Sequence, residues 1–271
     1  MRIGIVAPAR PIDGNVEPRL KALAALWYPD VDLVFHPQCT ESDGHFAGPD
    51  ERRAAALLEF ANDPAFDAVW FARGGYGSNR LLGAVLPKLG PAARHKTYLG
   101  YSDNGFLLAA LYARRIGRPV HGPMPSEVNR ADGGACVSRA LAWLTGRDRS
   151  VLEPELGGRP AAAFNIAILD ALIGTPWLPD LTDHVLLLEE VSEPMYRIDR
   201  MLFTIAHATQ LKGIAGVRLG MIKGVVANEP PWQGTAEEMI VRWCGEMGVP
   251  YLGRATIGHD AQNRVVPFGL A

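Results

Sequence analysis

Short apolar runs alternate with helical stretches through the first half of the chain, and this alternation restricts the fold more than any other feature. The runs predict strands at Ile3–Ala7, Val31–Phe35, Phe66–Ala72 and Thr97–Tyr101. The stretches that follow the first, second and fourth runs predict helices at Val16–Trp27, Asp50–Ala61 and Asn104–Ile116. Strands separated in this way are joined by right-handed crossovers, so we expect a parallel sheet with helices on both faces.

The middle of the chain predicts a linker, because Gly, Pro and charged residues dominate from Gly146 to Pro160. A short helix is predicted at Phe164–Leu172. Further strands are predicted at Val185–Glu190, Met221–Asn228, Tyr251–Ile257 and Arg264–Phe268, and helices at Ile198–Leu211 and Ala236–Met247. We therefore expect an N-terminal α/β domain over residues 1–146, a linker over 147–163 and a smaller C-terminal domain over 164–271.

Charge and composition argue against several classes of partner. The 27 basic and 29 acidic residues give a net charge of -2, and no basic cluster suggests nucleic-acid binding. No apolar run approaches the roughly 20 residues that span a bilayer, and the N-terminus looks like a strand rather than a signal peptide. The three cysteines are far apart, with no CxxC or HExxH motif. We expect a cytoplasmic protein with no metal site and no membrane partner.

A serine lies at a sharp turn between the fourth predicted strand and its helix, in the segment Gly100-Tyr101-Ser102-Asp103. Ligand crevices form at the carboxyl ends of parallel strands. The first N–H groups of the helix have no partner within it, so they can stabilise a negatively charged oxygen. The segment resembles a nucleophile elbow, although it departs from the G-x-S-x-G form. The alternative is that Ser102 or Asp103 only caps the helix.

A glycine-rich turn, Arg73-Gly74-Gly75-Tyr76-Gly77, follows the neighbouring predicted strand. Glycine lets backbone N–H groups approach a ligand closely, which makes Gly75 a candidate for a second oxyanion donor. A phosphate loop is the rival interpretation, but neither GxGxxG nor GxxxxGK[ST] is present.

A serine nucleophile needs a general base, usually a histidine oriented by a carboxylate. Among the seven histidines, His259 follows a predicted strand and a glycine, which makes it the best candidate; His121 is a credible pocket residue. Glu189 and Glu190 end a very apolar strand. Adjacent strand residues face opposite sides, so only one of the two can enter a shared site, and periodicity does not say which.

Taken together and in this order, these segments resemble the LD-carboxypeptidase family (muramoyl-tetrapeptide carboxypeptidases), which includes the microcin C immunity peptidases. The resemblance runs along nearly the whole chain. It also includes the segments Ile3–Pro8, His121–Met124, Gly174–Pro176, Leu188–Pro194 and Tyr196–Arg200.

The resemblance implies a catalytic triad of Ser102, Glu189 and His259, with oxyanion donors at the backbone N–H groups of Gly75 and Asp103. It also implies a flavodoxin-like parallel-sheet N-terminal domain and a smaller β-rich C-terminal domain, with the site at their interface. Members of the family are typically homodimers and need no cofactor.

We therefore expect a serine carboxypeptidase acting in cell-wall recycling. It would hydrolyse the bond between an L-centre, diaminopimelate or lysine, and the terminal D-alanine of murein tetrapeptides. The candidate substrate-binding residues are Arg73, Tyr76, Arg197 and Arg200. The three arginines are chemically suited to a free carboxylate, because a guanidinium group can fork onto it. The alternatives are a microcin C-type acyl-adenylate amide hydrolase, an α/β-hydrolase-like esterase, and a non-catalytic binding protein.

Overall fold

A computed structural model of the protein describes residues 1–154 and 158–269. Within these residues, ten strands and eight helices form two sheets and their covering layers. Three residues of the predicted linker, 155–157, and the last two residues of the predicted C-terminal domain lie outside the described residues.

The first sheet has the strand order β10-β5-β4-β3-β1-β2. Its strands are β1 (Arg2–Val6), β2 (Asp32–Phe35), β3 (Ala68–Phe71), β4 (Thr97–Gly100), β5 (Arg118–His121) and β10 (Val266–Pro267). The first five are parallel, and their order β2-β1-β3-β4-β5 is that of the flavodoxin-like class. β10 joins the edge of the sheet antiparallel to β5, so the end of the chain returns to the N-terminal sheet.

Five helices accompany this sheet: α1 (Val16–Trp27), α2 (Asp50–Asn62), α3 (Leu82–Val85), α4 (Gly105–Ala113) and α5 (Gly133–Gly146). Apolar residues of α2 and α4 pack in one core cluster with one face of the strands, and those of α1 and α5 pack in a second cluster with the other face. The four strands and three helices predicted for this half are confirmed to within a few residues. β5 and α5 were not predicted, because Pro119 weakens the strand signal of β5 and α5 begins with two glycines.

The second sheet is smaller and wholly parallel, with the order β6-β7-β8-β9. Its strands are β6 (Ala161–Asn165), β7 (Val185–Val191), β8 (Gly216–Lys223) and β9 (Tyr251–Arg254), and its helices are α6 (Ile166–Leu172), α7 (Met195–His207) and α8 (Ala236–Met247). One apolar cluster contains residues of both halves, such as Phe106 of α4 and Phe164 of β6. The expected α/β class with a smaller second sheet is confirmed.

Two element predictions in the second half are wrong. Phe164 belongs to strand β6, and the helix predicted to start there begins only at Ile166. The strand predicted at Met221–Asn228 lies about five residues earlier, at Gly216–Lys223. β6 also takes up the last three residues of the segment predicted as a linker, while the division into domains stays a prediction.

Burial explains both errors. The alanines of β6 have little intrinsic strand preference, but the strand is buried on both faces, and packing decides its conformation. In the other case Val225 and Val226 supplied the apolar signal, yet both side chains are exposed beyond the end of β8. The predicted closing strands are also shorter than expected: the strands cover Tyr251–Arg254 and Val266–Pro267, and Val265 adds an isolated bridge to Leu152.

Candidate active site

Ser102 lies in the turn between β4 and α4, at the carboxyl end of the first sheet. Its φ angle is 59°, in the left-handed region that residues other than glycine rarely adopt. Such backbone strain persists only where the surrounding structure enforces it. Gly74 approaches so closely that a Cβ atom built on it would be 2.9 Å from the Cβ of Ser102. The serine therefore occupies a strained, tightly packed turn of the kind expected for a nucleophile elbow.

Asp103 ties this turn to the glycine-rich loop after β3. Its carboxylate accepts hydrogen bonds from the N–H groups of Gly77 (3.3 Å) and Ser78 (2.8 Å), and the Ser78 hydroxyl donates to its carbonyl oxygen (2.6 Å). Burial raises the pKa of Asp103, while these donors favour the ionised form. Gly75 lies in the same loop with φ at 119°. The two residues predicted to supply oxyanion donors are thus brought to adjoining loops.

The structure brings the three residues of the predicted triad together. The Oγ atom of Ser102 lies 3.0 Å from Nε2 of His259, and Nδ1 of His259 lies 2.8 Å from a carboxylate oxygen of Glu189. An ionised carboxylate only accepts hydrogen bonds, so Nδ1 carries the proton and Nε2 is free to accept the serine hydroxyl. This is the geometry that general-base activation of a serine requires.

Two glycines make room for Glu189, whose side chain is fully buried at the end of β7. A Cβ atom built on Gly220 would lie 3.0 Å from the Cβ of Glu189, and one built on Gly258 would lie 3.2 Å from it. A larger side chain at either position would press on the side chain of Glu189, which orients His259.

The adjacent Glu190 faces the other side of β7, as strand alternation requires. It accepts hydrogen bonds from the Asn165 side chain (2.7 Å) and from the N–H groups of Ala167 and Val191 (both 2.8 Å). Burial raises the pKa of Glu190 to about 7, against the effect of these three donors. The structure therefore decides what periodicity left open, since Glu189 faces the histidine and Glu190 supports the start of α6.

Opposing effects act on His259. Its burial lowers the pKa, but the charge and the hydrogen bond of Glu189 raise it, and the net result is a pKa above the ordinary 6.5. A histidine whose protonated form is stabilised in this way can take up a proton from a nearby hydroxyl more readily.

Asn263 anchors the loop that carries His259 and has no counterpart in the sequence-based prediction. Its Oδ1 atom accepts a hydrogen bond from the N–H of Gly258 (3.1 Å) and lies 3.3 Å from Nε2 of His121. His121 is fully buried, and burial lowers its pKa to about 4, so the ring is neutral near pH 7. His121 therefore lies near the site as predicted, where its contact with Asn263 supports the loop.

Tyr101 packs beside the base, His259. The centres of its ring and the His259 ring are 4.9 Å apart. Its hydroxyl donates a hydrogen bond to buried Glu127, whose carboxylate also accepts from Arg130 at 2.9 Å. The position of Tyr101 directly before Ser102 was visible in the sequence, but its partners were not.

The four predicted substrate-binding residues fall into two groups. Half-buried Arg73 and exposed Tyr76 lie in the glycine-rich loop beside Ser102. Arg197 and Arg200 lie on α7, where Arg197 pairs with Glu193 at 3.2 Å and Arg200 stacks over Tyr196 at 5.3 Å. Within residues 1–154 and 158–269, no hydrogen bond or ion pair joins these two arginines to the triad.

Across the described parts of the chain, no three His, Cys, Asp or Glu side chains are grouped as a metal ion would require. In the same residues, none of the helices has the length and apolar character needed to cross a bilayer. Cys39, Cys136 and Cys244 are all buried free thiols.

Comparison with known proteins identifies the family. Residues 3–122 match the model of the LD-carboxypeptidase N-terminal domain, and residues 161–271 match that of its C-terminal domain. A putative carboxypeptidase of Streptomyces coelicolor is 33% identical over 99% of this chain and 88% of its own length. The murein tetrapeptide carboxypeptidase of Pseudomonas aeruginosa is 29% identical over 99% of this chain and 91% of its own.

A solved structure shows the same fold. The muramoyltetrapeptide carboxypeptidase from Oxalobacter formigenes superimposes with a TM-score of 0.81 at 22% identity, covering 98% of this chain and 93% of that one. The N-terminal family model covers Ser102, and the C-terminal model covers Glu189 and His259. The chain therefore belongs to the LD-carboxypeptidase family.

Proposed function

We propose that the protein is a serine carboxypeptidase that removes the terminal D-alanine from murein tetrapeptides, with Ser102, Glu189 and His259 as its catalytic triad. The observation that carries the proposal is the chain of hydrogen bonds from Ser102 through His259 to buried Glu189. Membership of the LD-carboxypeptidase family supports the reaction, and the names of the relatives support the substrate.

In the proposed mechanism, Nε2 of His259 takes the proton of the Ser102 hydroxyl while its oxygen attacks the carbonyl that precedes D-alanine. Glu189 holds the imidazole in the required tautomer and stabilises the imidazolium that forms. The imidazolium then protonates the leaving amine of D-alanine. Water, activated by the same histidine, hydrolyses the acyl-enzyme and restores Ser102.

The N–H groups of Gly75 and Asp103 are proposed to stabilise the negative charge on the carbonyl oxygen. Asp103 follows the nucleophile in a short 3₁₀ turn that leads into α4, where the first N–H groups point away from the helix. The hydrogen bonds between Asp103 and the glycine-rich loop keep both donors in place before substrate arrives. Preorganised donors of this kind contribute about 3–4 kcal/mol each to the transition state.

The test is incubation of the purified protein with a murein tetrapeptide, followed by mass spectrometry. We expect stoichiometric tripeptide and D-alanine, and no product from a tetrapeptide that ends in L-alanine. Ser102→Ala should release no D-alanine. Absence of product with the unaltered protein would contradict the proposed substrate, and cleavage of an acyl-adenylate amide in its place would favour the microcin C-type alternative.

Three finer parts of the expectation stay predictions. They are the homodimeric state, the cytoplasmic location and the domain boundaries near residues 146 and 164. Sedimentation velocity of the purified protein tests the homodimeric state, since a dimer would have about twice the 29.3 kDa mass of one chain.

A further inference from the structure

Three arginines surround the loops that carry Ser102 and Gly75: Arg10, Arg73 and Arg130. Arg10 and Arg130 were not singled out in the sequence, because they lie far from Arg73 along the chain. We propose that Arg10 and Arg73, with Arg130 at the edge, bind the free carboxylate of the residue that the enzyme removes. This inference rests on the proposed carboxypeptidase function and assigns the part of the site that recognises a chain end.

Arg10 packs directly on the glycine-rich loop. A Cβ atom built on Gly75 would lie only 2.4 Å from the Cγ and Cδ atoms of Arg10, so the arginine stem occupies the space that a side chain would take. Arg10 is exposed, although its stem lies against the residue that is proposed to supply an oxyanion donor.

Arg73 lies in the same loop and is held on both sides. Its Nη1 atom donates to the carbonyl of Pro11 at 3.2 Å, and its own carbonyl accepts from the Asn104 side chain at 3.1 Å. A guanidinium has five N–H donors, so most of those of Arg73 are available for a ligand. Among the described residues, neither Arg73 nor Arg10 forms an ion pair with a carboxylate; the nearby acidic residue is Asp13.

Arg130 differs because it already has a partner. It pairs with buried Glu127 at 2.9 Å, and Tyr101 links that carboxylate to the turn that carries Ser102. Arg130 also acts electrostatically on both Arg73 and His259. It therefore adds positive potential at the edge of the site while Glu127 neutralises part of its charge.

The positive charges of Arg10, Arg73 and Arg130 repel one another when no anion is bound. Burial lowers the pKa of Arg73, and the positive charges of Arg10 and Arg130 lower it further, against the opposite effect of Asp13. Like charges held together at a half-buried position repel one another, and a bound anion relieves that repulsion. A carboxylate also matches the planar fork of guanidinium donors.

The position fits the chemistry of an exopeptidase. Successive residues are about 3.8 Å apart along a chain, so the terminal carboxylate must lie one residue beyond the carbonyl that Ser102 attacks. Arg73 lies in the loop of the proposed oxyanion donor and the stem of Arg10 lies against it, so both adjoin the place where that carbonyl would bind. Arg197 and Arg200, on α7, already contact Glu193 and Tyr196.

The test compares two substrates, the murein tetrapeptide and the same peptide with a C-terminal amide. We expect the unaltered enzyme to prefer the free acid in kcat/KM. Arg10→Gln and Arg73→Gln should each lower kcat/KM for the acid by about 10- to 100-fold, which corresponds to loss of a charge-assisted hydrogen bond. The amide should change by less than about threefold, so the preference should collapse. Arg73→Lys should recover part of it, because the charge remains.

Arg94→Gln is the matched control, since Arg94 is exposed in the turn before the amino end of β4, away from Ser102. Circular dichroism melting checks that each variant is folded. Retention of the full preference by both Arg10→Gln and Arg73→Gln would overturn the inference while leaving the proposed function intact. Collapse of the preference in Arg200→Gln with those two unaffected would also overturn it. If the unaltered enzyme cleaves neither peptide, the proposed function fails and the carboxylate site fails with it.

Discussion

Ser102 and His259 approach each other from two sheets that hold them in different ways. Ser102 is fixed by its own strained turn and by Asp103, which bonds a loop only 25 and 26 residues away. His259 is oriented by Glu189, 70 residues away, and its loop is fixed through Asn263 to His121, 142 residues away. The first lobe thus positions the nucleophile through local backbone geometry, and the second positions the base through contacts made only in the folded chain.

The largest expected effect concerns Glu189, which orients the base His259. Glu189→Gln should lower kcat about ten-thousand-fold, because the amide no longer fixes the tautomer and charge of His259. Glu190→Gln is the matched control on the opposite face of β7. It should leave kcat within about threefold but lower the thermal midpoint of unfolding. The NH2 of the new amide would replace a carboxylate oxygen that now accepts hydrogen bonds from N–H groups. Equal kcat values for the two variants would contradict the assignment of Glu189.

A second prediction tests the glycine-rich loop beside the nucleophile, Ser102. Gly75→Ala should lower kcat about 100-fold, because φ at 119° and the close stem of Arg10 leave no place for a methyl group without moving the loop. Gly83→Ala is the control, since a Cβ there would meet nothing within 4 Å. Steady-state kinetics on the tetrapeptide measures both. Full activity of Gly75→Ala would show that the Gly75 N–H is not a donor to the transition state.

A third prediction concerns the loop that carries the base. Asn263→Ala removes the acceptor that holds Gly258 and contacts His121, so His259 should be less well positioned. We expect kcat to fall about tenfold with little change in KM, because the loop positions the base, which acts in the chemical step. Exposed Gln262 provides the control variant Gln262→Ala. A rise in KM at constant kcat would argue instead for a role in binding.

The smallest effect is a shift in pH dependence. His259 must be neutral to act as a base, and Glu189 raises its pKa above 6.5 despite burial. The kcat/KM of the unaltered enzyme should therefore rise with pH, with the midpoint of the acid limb above 6.5. In Glu189→Gln the pKa of His259 should fall, as followed by NMR titration of the imidazole. An acid limb centred below 6.5 in the unaltered enzyme would contradict this electrostatic account.

The difference between the lobes also explains where prediction from sequence succeeded. In the first half of the chain, strands β1–β4, helices α1, α2 and α4 and the turn at Ser102 follow from short-range patterns, and the structure has them within a few residues of the predicted bounds. In the second, β6 is an alanine-rich strand and β8 contains two glycines and a buried arginine. Neither has a clear local signal, so burial between neighbouring strands decides their conformation.

The residues of the site divide along the same line. By itself the sequence determined the alternation that builds the first sheet, the serine at the end of β4 and the glycine-rich turn beside it, because each depends on residues adjacent in the chain. The family resemblance implied Glu189, but only the tertiary structure shows that Glu190 faces away from His259. Only the tertiary structure also decided that Asn263 holds the loop of the base and that Arg10 lies against Gly75. Those relations join segments distant along the chain, and their energies exist only once the two sheets have packed together.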